Sequence, residues 1–94
     1  MAIPKEIRDY VGTQIQYYIS ESQTYKSMAE THKGGSAEDT AFGMILGCLY
    51  LGFMQAYRTQ YMAPSSEDMD EFHRLVGDNA PRIREALRMP TLHT

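Results

Sequence analysis

Glu67, Asp70 and His73 follow one another at intervals of three, so on a helix they share one face. Two carboxylates and an imidazole are groups that a divalent metal accepts. Helix-bundle metal sites, however, draw a matching set from a second helix. Here the earlier chain offers only the scattered acids Glu21 and Glu30, and no acid lies between Thr40 and Tyr57. The simpler expectation is an acidic helix start, favourable to the helix dipole, with a surface histidine beside it. Only a two-fold oligomer would double such a half-site, and no metal is expected.

Cys48 is the one cysteine. A catalytic thiolate needs partial exposure and a nearby cation or base. No basic residue lies within nine positions of Cys48 on either side. A buried, inert thiol is therefore expected. Gly34-Gly35 fits no phosphate-loop pattern, and G-x-S-x-G, HExxH and CxxC are absent. No catalytic residue, cofactor or reaction class is supported, and the chain is read as a non-enzyme.

The seven tyrosines are more informative. Tyr10, Tyr17, Tyr18, Tyr25, Tyr50, Tyr57 and Tyr61 all precede the acidic segment. Each pairs an apolar ring with a hydroxyl that needs a partner. Three uses compete: packing at the margin of a helical core, a recognition surface, and a ligand pocket. Arg82, Arg84 and Arg88 form a small basic patch near the C-terminal end. The acids at 67–71 and the net charge of −3 argue against nucleic acid as a partner.

All these residues fall on helical patterns, and nothing reads as a strand. A first helix is expected over about 4–31, with Val11, Ile15, Tyr18, Ser22, Tyr25 and Ala29 on its apolar face. His32-Lys33-Gly34-Gly35 stops it, and Ser36 caps the next. The second helix, about 37–62, carries no charge between Asp39 and Arg58, so its middle should be buried on nearly every side. The two make a helical hairpin. Ala37, Ala41, Cys48, Gly52 and Ala56 form a small-residue stripe on it, and Gly43 and Gly47 add a GxxxG step. After Ala63-Pro64, a third helix over about 66–76 begins with Glu67, Asp68, Asp70 and Glu71. Gly77–Pro81 should break the chain again before a short helix at about 80–88 and a frayed tail at 89–94.

The fold class expected is all-α, a single domain of 94 residues. A chain this short has a thin margin of buried surface, and it can hardly cover so apolar a helix alone. A bundle formed by a homodimer or higher oligomer is therefore expected, through Gly43, Gly47, Cys48, Gly52, Tyr50 and Tyr57. The acids Glu67, Asp68, Asp70 and Glu71 are the candidate contact for a second protein. The strongly apolar stretch from Ala41 to Met54 is shorter than a bilayer requires, so no membrane span is expected. The charged N-terminal residues and the single thiol suggest a cytoplasmic protein. The function expected is that of a small interaction module: an adaptor, an inhibitor or an accessory subunit. The alternative is a bundle that binds a small ligand or a metal.

Overall fold

Pro4 fixes the entry to the first helix, where its missing N–H costs nothing. From there a computed structural model describes residues 2–32 and 35–89. The expected helix stop at Lys33-Gly34 and the tail from Pro90 onward lie outside these residues. The described chain is all-α: α1 Lys5–Ser20, α2 Ser22–Thr31, α3 Ala37–Thr59 and α4 Ser66–Arg88.

The expected first helix is in fact two. Glu21 leaves helical geometry at φ −99° and ψ 12°. The Ser20 hydroxyl donates to Tyr17 O at 2.7 Å, a local bond that competes with the helical ladder. The apolar stripe nevertheless continues across the break. Val11, Ile15, Ser22 and Ala29 are buried, and Tyr18 and Tyr25 are half-buried.

α3 ends three residues earlier than expected. Met62 N–H donates to Tyr57 O at 2.9 Å and Tyr61 N–H to Arg58 O at 3.0 Å. This is a Schellman ending, with Tyr61 at φ 56° in the position glycine usually takes. Ser65 then caps α4 in a reciprocal box. Its hydroxyl accepts from Asp68 N–H at 3.1 Å, and Asp68 Oδ2 accepts from Ser65 N–H at 2.9 Å.

α4 runs unbroken through Gly77–Pro81, where an interruption was expected. Ile83 and Leu87 continue the buried face begun by Phe72 and Val76, and that shared burial outweighs the local breakers. Pro81 removes the N–H that would reach Gly77 O, but both residues are solvent-exposed, so water can take its place.

The core joins Ile3, Ile7, Val11 and Ile15 to Ala41, Ile45, Leu49, Phe53 and Tyr57 on α3, and to Phe72, Val76, Ile83 and Leu87 on α4. Phe53 stacks on Phe72 with ring centroids 4.4 Å apart. Tyr10 lies against Gly52 and Tyr18 lies beside Cys48, so α1 and α3 run in opposite directions. α4 contacts all three other helices.

Candidate functional site

Within the single chain the middle of α3 is not enclosed on every side. Ala41, Ile45, Leu49, Phe53 and Tyr57 recur every four residues and point inward. On the opposite side Gly43, Gly47, Leu51 and Gln55 recur at the same interval and are exposed. Leu51 is 66 % exposed, and Tyr50 beside it 42 %. Met44 and Met54 are half-buried at the flanks. The uncharged stretch thus serves two surfaces, one inside the chain and one outside.

The glycines divide the same way. A Cβ added at Gly52 would lie 3.3 Å from Tyr10 Oη, so this position lets the tyrosine ring approach α3. Cβ atoms at Gly43 and Gly47 would meet nothing within 4 Å. No packing among the described residues requires glycine at either position. Gly47 instead borders an open groove of about 440 Å³ between α3 and α4, lined by Phe42, Leu46, Tyr50, Phe72, His73 and Val76, among others.

Cys48 is half-buried rather than buried and lies beside Tyr18 and Tyr25. Burial, and then the neighbouring Cys48 and Tyr25, push Tyr18 up to about 12. Burial, followed by Cys48, raises Tyr25 as well. Both phenols stay protonated at neutral pH and can act as hydrogen-bond donors. Tyr57 belongs to the core rather than to any surface. Its buried hydroxyl makes no hydrogen bond among the described residues. Burial, and after it the nearby Asp68 carboxylate, push Tyr57 up to about 12.

The four acids of the α4 start do not act as one patch. Asp68 is buried in the cap, and Glu67 and Asp70 face solvent. Glu71 accepts from Ala2 N–H at 2.8 Å, Ile3 N–H at 3.0 Å and Arg8 Nε at 2.9 Å. These amides, Ile3 first, and Arg8 lower its pKa against the opposing effect of burial. Glu71 therefore pins the N-terminal segment to α4. Its partners lie more than sixty positions away, and nothing in the local sequence signals them. Among the described residues no group of three or more His, Cys, Asp or Glu side chains is placed to hold a metal. His73 is exposed, against the edge of Phe72.

The basic patch is also spoken for. Arg84 pairs with Asp39 at 3.1 Å and covers the Phe42 ring at 4.0 Å. Arg88 pairs with Glu38 at 2.9 Å, and Arg82 donates to Gln16 Oε1 at 3.1 Å. These bonds hold α4 to the start of α3 and to α1. Arg58 at the other end of α3 is exposed and has no carboxylate partner among the described residues.

By length and apolar composition alone, α3 also meets the requirement of a bilayer span. The chain matches no protein-family model, no curated protein and no solved structure.

Proposed function

We propose that the protein is a small helical interaction module, an adaptor, inhibitor or accessory subunit without catalytic activity, that acts as a homo-oligomer. One observation carries the reading: the outer face of α3 presents Gly43, Gly47 and Leu51 to solvent with no charge between Asp39 and Arg58. A glycine inside a helix costs about 1 kcal/mol relative to alanine. At Gly43 and Gly47 no neighbour among the described residues offsets that cost. Close approach of another backbone does. The hairpin of α1–α2 with α3 is the unit that would associate, and a homodimer is its simplest form. A second protein would meet the exposed acids Glu67 and Asp70, which suit a basic surface.

A soluble, cytoplasmic setting belongs to the same reading. The inward side of α3 packs on helices that carry charges, and its first turn is ion-paired to Arg84 and Arg88. Insertion in a bilayer would break those pairs. The groove between α3 and α4 supports a second reading, a small apolar ligand.

Light scattering at micromolar concentration tests the first reading. A multiple of the 10.7 kDa chain mass is expected, and a 10.7 kDa species refutes it. Gly47→Leu should weaken association while the circular dichroism stays helical, because the isolated chain has room for the side chain. Gln16→Ala, on the far side of α1, should not. Native mass spectrometry and liposome flotation report a bound ligand or membrane binding instead.

A further inference from the structure

We infer that α3 pairs with α3 of a second copy, antiparallel across a two-fold axis near residues 48–49, with Asp39 of each copy opposite Arg58 of the other. The inference rests on the self-association proposed above and assigns its geometry.

The outer face of α3 has two unlike halves. Its N-terminal half is hollow, with Gly43 and Gly47 exposed and no side chain of their own. Its C-terminal half is raised, with Leu51 projecting at 66 % exposure and Met54 next to it. Such a face fits itself only when reversed. An antiparallel pair centred between positions 48 and 49 lays Leu51 of each copy in the hollow between Gly43 and Gly47 of the other. It sets Met54 over Thr40 and Gly43. A parallel pair would set Leu51 on Leu51 and leave the two hollows facing each other, unfilled.

Charge requires the same register. Asp39 stands at one end of the uncharged stretch and Arg58 at the other. The Asp39 side chain is 71 % exposed despite its pair with Arg84. Arg58 is exposed and unpaired among the described residues. At 1.5 Å per residue the two lie about 28 Å apart, each about 14 Å from the midpoint. At a crossing angle of about 20° the helices diverge there by only about 5 Å, within the reach of an arginine. Both ends pair at once in the antiparallel arrangement. In a parallel one, Asp39 meets Asp39 and Arg58 meets Arg58.

Charge reversal with mixing tests this in the full chain. Asp39→Arg alone and Arg58→Asp alone should each raise the dissociation constant by about tenfold, because each homodimer then holds two like-charge contacts. An equimolar mixture of the two should regain wild-type affinity as a heterodimer, since both contacts are again opposite in sign. Mass spectrometry resolves the heterodimer, and restored pairing on mixing cannot arise from a folding defect. A mixture as weak as the single variants overturns the geometry, as does full rescue of either variant by wild type, because that mixed dimer keeps one like-charge contact and should fall between the two homodimers. As a second measurement, Gly47→Cys and Leu51→Cys chains in a Cys48→Ser background should form a mixed disulfide on oxidation. A lack of preference over the Gly47→Cys self-pair overturns the geometry too. If the wild type dimerises but fails these tests, only the geometry falls. If the wild type is a monomer, the proposed function falls with it.

Discussion

Replacing Glu71 should loosen the N-terminal segment and remove a specific acid dependence. The carboxylate accepts two backbone N–H groups and the Arg8 guanidinium, and its side chain is only 12 % exposed. A hydrogen bond to a charged group contributes about 1.5–3 kcal/mol net when buried. Water replaces part of that at Ala2, which is half-buried. Loosening the segment also exposes some of Ile3, whose full burial is worth about 2 kcal/mol. Glu71→Ala should therefore cost about 3 kcal/mol, and Glu71→Gln, which keeps the shape, about 2 kcal/mol. Because folding lowers the Glu71 pKa, the unfolded chain takes up its proton first as the pH falls. The stabilisation is complete above the ordinary glutamate value near 4.5 and is lost as pH falls through the lower folded value. Urea unfolding followed by circular dichroism at pH 7, 5, 4 and 3 measures it. The gap between wild type and Glu71→Gln should be widest at pH 7 and narrow below pH 5. A gap unchanged down to pH 3, or absent at pH 7, refutes the clamp.

Two further substitutions test local geometry. Tyr61 holds φ 56° and is 98 % exposed, so Tyr61→Gly should stabilise the fold by about 1 kcal/mol, read as a raised urea midpoint; a lowered midpoint refutes the strain. Tyr57→Phe removes a buried hydroxyl without a hydrogen bond and should be neutral or stabilising by about 1 kcal/mol at pH 7, whereas a loss above 1 kcal/mol would show the hydroxyl to be bonded. The folded Tyr57 pKa lies above its unfolded value, so wild type should lose stability relative to Tyr57→Phe between pH 10 and about 12.

The buried faces of α1 and α4 were legible because polar residues alternate with them. Lys5, Asp9 and Gln16 mark the outside of α1, and the rest follows from helical spacing. α3 offered no such mark. With no charge from Thr40 to Tyr57, its sequence carries no sign of which side faces inward. Tyr57 and Gly43 could therefore be grouped on one expected surface, although the fold turns the first inward and the second outward. The same limit hid the split among the glycines, since only Tyr10 distinguishes Gly52 from Gly47. In α4 the opposite error arose. Gly77, Asn79 and Pro81 are strong local breakers, yet Asn79 Nδ2 donates to Leu75 O at 2.9 Å within an intact helix. The burial of Ile83 and Leu87 is a tertiary effect that a local reading underweights.

The two faces of α3 explain why so short a chain carries so apolar a helix. Its inner side is used by α1, α2 and α4, and these leave the face of Gly43, Gly47 and Leu51 in water. Alanine at both glycines would stabilise the single chain by about 2 kcal/mol. Against the 5–15 kcal/mol typical of a whole domain, that is a large sacrifice. A self-contained bundle gains nothing from it, because no described residue approaches either position closely enough to need glycine there. A helix that receives Leu51 from another backbone does gain, since a methyl group at either position would fill the hollow. The proposed self-association would resolve the thin margin of a small domain and the apolar excess of α3 together, since each chain would complete its core on a second copy.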